Sequence, residues 1–110
     1  MTESEGEERD DDCPPPPQFA GARVREMHIV NRKGLHARAT AKFVQCVDRF
    51  AAEIKVTRCG ETVGGDSIMG ILTLGAGMGT TITVSALGEQ AEAALDAIAE
   101  LVASRFGEDE

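Results

Sequence analysis

The chain has no tryptophan and no tyrosine, and only four phenylalanines among 110 residues. Nucleic-acid recognition through aromatic residues interleaved with bases is therefore not expected, and the net charge of −8 has the wrong sign for it. No run approaches the roughly 20 apolar residues of a membrane-spanning helix, so no membrane insertion is expected. The opening MTESEGEERDDD is acidic where a secretory leader is basic and then apolar, which makes the cytoplasm the expected location. Cysteine is scarce: Cys13, Cys46 and Cys59 are odd in number and follow neither a metal-ligand spacing nor C-x-x-C. Reduced thiols are the expectation. A zinc site joining them to His28 and His36 would need accidental geometry, and no metal or cofactor is expected. A glycine-rich nucleotide loop, paired catalytic acids and metal-binding carboxylates are missing as well.

What is present suits one small domain, with 42% hydrophobic and 27% charged residues. The charge is unevenly placed. Residues 1–22 carry seven acids against Arg9, and the stretch from Glu89 onward carries seven acids against Arg105. Between Arg23 and Arg49 lie seven bases and two acids. A local excess of positive charge fits an anionic ligand or an acidic protein surface. Residues 1–22, with their acids and the run Pro14–Pro17, read as a disordered extension. Residues 23–107 read as the folded domain and 108–110 as an acidic tail.

Hydrophobic periodicity divides the domain. VREMHIV alternates as a half-buried strand, and ARATAKFVQCVDRF puts Phe43, Val44, Val47 and Phe50 at helical spacing. EIKVTR and ETVGG flank Cys59-Gly60, a two-residue hairpin turn. Asp66 or Ser67 can cap a short helix, SIMGILTL, with Ile71 and Leu74 in the core. TTITVSA alternates again. A last helix, opened by Gly88 and Glu89, carries an apolar stripe from Ala91 to Phe106, with Glu89 and Glu92 at its positive end and Arg105 at its negative end. The order β-α-β-β-α-β-α with clean alternation implies an α+β, open-faced β-sandwich: a four-stranded antiparallel sheet with three helices on one face.

Chemistry concentrates where the first strand gives way to the first helix, at Gly34-Leu35-His36-Ala37-Arg38. Gly34 permits a sharp turn, Leu35 can anchor the loop, and His36 falls at or beside the N-cap. The backbone amides of Ala37, Arg38 and Ala39 would lack helical partners and form an anion site. Arg38 adds a charged fork for phosphate oxygens. A histidine, with a reference pKa near ~6.5, offers a neutral ring nitrogen as nucleophile toward a phosphoryl group. The plainer reading of His36 is a polar capping residue. For Ser67 it is a helix cap, and for mid-strand His28 a solvent-exposed side chain.

The same segment resembles the phosphorylation-site motif of the histidine-containing phosphocarrier (HPr) family of the bacterial phosphoenolpyruvate-dependent phosphotransferase system. Ser67-Ile68-Met69-Gly70 resembles that family's regulatory serine segment, at the expected separation. The resemblance covers about residues 23–106. It implies a carrier rather than an enzyme with turnover of its own: His36 accepts phosphate on Nδ1 from phosphorylated enzyme I and passes it to an enzyme IIA component, for sugar uptake or a nitrogen-related branch. It also implies that Arg38 assists transfer, that Ser67 is open to a serine kinase/phosphorylase, and that Ile68, Met69 and Leu72 dock partners on a monomer. The alternative is a regulatory binding module governed by Ser67 alone. Two departures stand out: Ala39 occupies the usual proline position, and Lys33 precedes Gly34 where some members have asparagine.

Overall fold

The computed structural model describes residues 13–109; the expectations for residues 1–12 and 110 lie outside the described residues. Strand β1 is Arg23–His28, helix α1 Ala37–Val47, β2 Glu53–Arg58, β3 Glu61–Gly64, α2 Ile68–Thr73, β4 Thr81–Leu87 and α3 Ala91–Ala103. The strands form one sheet in the order β1-β4-β2-β3 with every neighbouring pair antiparallel. Met27 lies opposite Ile82, Val84 opposite Val56 and Ala86 opposite Ile54. All six are buried. Alternation turns Glu26, His28, Lys55, Thr57, Thr83 and Ser85 to the other face, where Thr57 and Thr62 share a 2.7 Å hydroxyl hydrogen bond. The helices cover the apolar face, giving the open-faced sandwich that the periodicity implied.

Packing, rather than capping, holds α1. Its N-cap is His36, which makes no side-chain capping bond, whereas Ala39, Phe43, Cys46 and Val47 recur at helical spacing and are buried. A wholly buried phenylalanine contributes about 1.5–3 kcal/mol, more than the ~1 kcal/mol typical of a cap. The helix stops at Val47, three residues before Phe50, which packs half-buried against the core.

The last helix departs from its expected reach. The chain leaves α3 after Ala103, and both Arg105 and Phe106 have left-handed backbones, with φ of +60° and +55°. Phe106 is still fully buried, but it enters the core from this reversal and not from a continuing helical stripe. Arg105 therefore does not sit in the last turn of α3, and Glu89 lies before the N-cap Gln90. Gly107, also at positive φ, is the residue in the sequence that signals the reversal.

The expectation of reduced thiols fails for two of the three cysteines. Cys13 and Cys59 form a disulfide with Cα atoms 4.7 Å apart, while Cys46 is free and buried. Forty-six residues separate the partners, so short-range spacing could not reveal the pair. Cys59 and Gly60 are the two central residues of the β2–β3 turn, at φ of +49° and +86°, a turn whose geometry favours positive φ at both places. Residues 13–22, expected to belong to a disordered extension, contain no helix or strand, but one end is joined covalently to this turn. Between the ends, Phe19 is half-buried, with the Lys55 ammonium 5.5 Å from its ring centroid. Phe19 and Ala22 line a small hollow with Glu53, Lys55, Ser85 and Leu87. The segment thus crosses part of the open sheet face.

Candidate functional site

The connection from β1 to α1 is built around Asn31, a wholly buried polar residue. Its amide Nδ2 donates to the Gly34 carbonyl at 2.8 Å, and the Gly34 N–H returns a bond of 3.1 Å to the Asn31 carbonyl. Gly34 has φ of +66°. Next to it, Leu35 is buried and its N–H donates to Ala76 at 2.9 Å, while the Thr40 hydroxyl donates to the Leu35 carbonyl at 3.1 Å. These bonds fix the backbone immediately before His36, and the first helical bond runs from Thr40 N–H to the His36 carbonyl. The amides of Ala37, Arg38 and Ala39 therefore precede the hydrogen-bond ladder, as expected at a helix start. His36 is partly exposed, Arg38 is exposed, and Ala39 is buried where a proline was the usual residue.

The C-terminal reversal brings in residues that nothing in the local sequence pattern ties to the site. Lys42 of α1 donates to the Phe106 carbonyl at 2.6 Å. Two residues further on, Glu108 turns back: one carboxylate oxygen accepts from Asn31 Nδ2 at 3.1 Å, and the other lies 2.5 Å from His36 Nε2. Bonds from Asn31 and His36 hold the Glu108 carboxyl below the usual carboxylate range. A carboxylate offers only lone pairs, so Nε2 carries the hydrogen of this pair. In the neutral ring Nδ1 is then the lone-pair nitrogen.

In the sequence Glu108 reads only as part of an acidic tail. Its contact spans 72 residues of chain, beyond the range of any local pattern. Asn31 carried one signal, a turn-forming residue directly after a strand.

The Glu108 tie has a defined pH dependence. Because the folded-state pKa is lowered, the stabilising contribution is present above the usual carboxylate range and is lost as pH falls through the depressed value. For Glu108→Ala we expect His36 to become a tautomer mixture: the two ring ¹⁵N shifts should converge, where the parent protein keeps Nε2–H in excess. Unchanged ring shifts would show that Glu108 does not set the tautomer.

The bases sort themselves by position. Arg23 and Arg25 face Glu92 of α3, and Arg25 also pairs with Asp96 at 2.9 Å. Arg49 stands over the Phe50 ring. Arg32, Lys33, Arg38 and Lys42 instead gather around an open cleft of about 420 Å³, completed by Gly107, Glu108 and Asp109. The expected basic strip is thus narrower than the charge count implied, and it lies beside His36. His28 is separate, exposed on the open sheet face with Nδ1 3.0 Å from the Thr81 hydroxyl.

Ser67 is the N-cap of α2, its hydroxyl accepting from Gly70 N–H at 3.0 Å. Asp66, the other candidate cap, is exposed. Ile71 and Leu74 enter the core as expected, Leu72 is half-buried, and Ile68 and Met69 are exposed, Met69 at 71%.

Residues 24–104 match the family model for the PTS HPr component phosphorylation site. The chain belongs to the HPr phosphocarrier family. Phosphocarrier protein HPr of Cupriavidus necator is 44% identical over 86 residues, covering 78% of this chain and 97% of that protein. Phosphocarrier protein NPr of Shewanella violacea is 43% identical over 84 residues, covering 76% and 92%. Among solved structures, that of HPr from Thermoanaerobacter tengcongensis superposes with a TM-score of 0.77 at 39% identity, covering 80% of this chain and 99% of that one. An HPr-family chain is a phosphoryl carrier rather than a catalytic enzyme. Among the described residues no helix is long and apolar enough to cross a membrane.

Proposed function

We propose that His36 carries the phosphoryl group on Nδ1, taking it from phosphorylated enzyme I and passing it to an enzyme IIA component. The observation that carries this reading is the Glu108 carboxylate at Nε2, which leaves Nδ1 as the nucleophilic nitrogen. As the Nδ1–P bond forms, the donor's bond to phosphorus breaks and the ring becomes cationic. Glu108 offsets that charge through Nε2–H. The free amides of Ala37, Arg38 and Ala39 and the Arg38 guanidinium are disposed to share the charge of the transferring oxygens. The cleft bases favour encounter with acidic partner surfaces, and the exposed Ile68 and Met69, with Leu72, supply an apolar docking patch. The expected setting is the cytoplasm. Mapping the modified residue by mass spectrometry after exposure to enzyme I and phosphoenolpyruvate tests the assignment, and a phosphoryl group found elsewhere would overturn it.

Arg38→Ala should slow transfer roughly 10- to 100-fold. The side chain is exposed, so the thermal midpoint should hardly move, surface changes usually staying within about 0.5 kcal/mol. Rapid-quench transfer rates that match the parent would remove Arg38 from the site.

Ser67 supports a second, regulatory event. Phosphorylation there by a serine kinase/phosphorylase would add negative charge at the start of α2, which the helix tolerates. It would also set that charge beside Ile68 and Met69, opposing an acidic partner. Labelling with a serine kinase and ATP, compared with enzyme I and phosphoenolpyruvate, separates a module governed only by Ser67 from a histidine carrier.

A further inference from the structure

Asn31 is bonded in a way that stability alone does not explain. It is wholly buried, and its Nδ2 donates twice, to the Gly34 carbonyl at 2.8 Å and to the Glu108 carboxylate at 3.1 Å. Those bonds use both hydrogens of the amide. Its Oδ1, equally buried, has no partner among the described residues. A buried acceptor left unpaired lowers stability, so the gain from this side chain lies at its donor end. Turning the amide over is no remedy. Oδ1 would then face the Gly34 carbonyl and the carboxylate, both acceptors, and the two bonds would be lost.

The carboxylate at that end has several places to go. Glu108 shares its cleft with Arg32, Lys33, Arg38 and Lys42, each a full cation, whereas a neutral imidazole carries no net charge. Attraction between charges falls only as the inverse of distance and has no preferred direction. Charge by itself would therefore draw the carboxylate to a lysine or into a bidentate pair with an arginine. The backbone around Glu108 is anchored, with Phe106 buried, Gly107 N–H bonded to Ser104 at 3.1 Å and Glu108 N–H to Arg105 at 2.9 Å. None of those contacts fixes the side chain. The Asn31 bond does: it holds Oε1, and Oε2 then lies against His36 Nε2. The same bond is the leading reason that the Glu108 carboxyl stays below the usual carboxylate range, ahead of the bond from His36. We propose that Asn31 is a positioning residue, aiming the Glu108 carboxylate at His36 Nε2 and away from the cleft bases. It thereby fixes the ring tautomer and keeps Arg38 for the phosphoryl oxygens. The effect on transfer rests on the carrier reading; the aiming of Glu108 does not.

Two variants separate aiming from turn formation. Asn31→Leu has nearly the same shape but no donor. Asn31→Ser keeps a hydroxyl able to bond within its own turn but is too short to hold Glu108. The test uses the full chain with ¹⁵N-labelled histidine, unphosphorylated and above the pH at which the ring protonates. There the parent should show Nε2–H in excess. In both variants the two His36 ring shifts should converge, reaching the values of Glu108→Ala. Transfer from phosphorylated enzyme I should slow roughly tenfold, in the range for groups that orient a functional side chain. In a Glu108→Ala background, Asn31→Ser should leave the rate nearly unmoved, the non-additivity of a residue that acts through another.

Circular dichroism establishes that each variant is folded. A further reading needs no change at Asn31: one of its Nδ2–H resonances should shift on Glu108→Ala, and an unmoved pair would overturn the contact. Parent-like ring shifts in folded Asn31→Ser, or equal slowing by that change with and without Glu108, would overturn the aiming role and leave Asn31 a turn residue only. The ring and amide resonances need no phosphotransfer. Converged shifts in the variants with no phosphorylation of His36 in the parent would therefore overturn the carrier reading alone. Unmoved shifts with normal phosphorylation would overturn the role of Asn31 alone.

Discussion

His36→Ala is expected to take up no acid-labile, phosphoenolpyruvate-dependent label in the presence of enzyme I. The effect should be complete, because the proposed carrier bond is made to an atom that the variant lacks. The second histidine cannot substitute. His28 lies on the open face of the sheet against Thr81, away from the α1 amides and the cleft of Arg38 and Lys42. His28→Ala should therefore label at the parent rate and serves as the matched control. The fold should survive in both, since His36 is partly exposed and makes no capping bond. Its removal opens the Glu108 contact, but Asn31 keeps its bond to Gly34. Circular dichroism and thermal midpoint would establish that the variant is folded before labelling is scored. Label persisting in folded His36→Ala would place the phosphoryl group on another residue and end the assignment.

The contrast between His36 and Glu108 shows what the amino-acid sequence discloses and what it withholds. Gly34, Leu35 and His36 are legible because each carries a local signal (turn chemistry, an apolar anchor, the start of a helix), although the backbone that Leu35 and Gly34 pack against, at Ala76 and Gly77, is distant in sequence. The strands were legible for the same reason: Ile54 and Val56 alternate with Glu53, Lys55 and Thr57, and β2 begins and ends where that alternation does. Three features depend on groups distant in sequence and were not legible. Glu108 reaches His36 only because Arg105 and Phe106 reverse the chain. Cys13 meets Cys59 only because residues 13–22 return across the sheet. Arg25 appeared as one more base of a positive strip, yet it lies between Glu92 and Asp96. Charge counting cannot anticipate such pairing, since it depends on α3 packing beside β1.

Gly34→Ala is expected to be the most damaging single-methyl change at the site. Gly34 has φ of +66°, and a Cβ there would stand 2.5 Å from the Ala76 carbonyl oxygen and 2.7 Å from Gly77 Cα. Both neighbours are backbone, so no side-chain rotation relieves the overlap. Left-handed backbone costs a non-glycine residue about 1–2 kcal/mol, and overpacking typically adds about 1–3 kcal/mol, for a loss of about 2–5 kcal/mol in urea denaturation. Relief requires the loop to withdraw, which breaks the Leu35–Ala76 hydrogen bond and displaces His36 from the α1 amides and Glu108. Phosphoryl acceptance should therefore fall even in the fraction that remains folded. Gly77→Ala tests the steric argument from the opposite side of the same contact: a Cβ at Gly77 meets nothing within 4 Å, and its φ lies outside the left-handed region. That variant should lose no more than about 0.5 kcal/mol, the ordinary range for an unstrained surface change. Equal stability losses in the two variants would show that close backbone approach at Gly34 is not what sets the loop carrying His36.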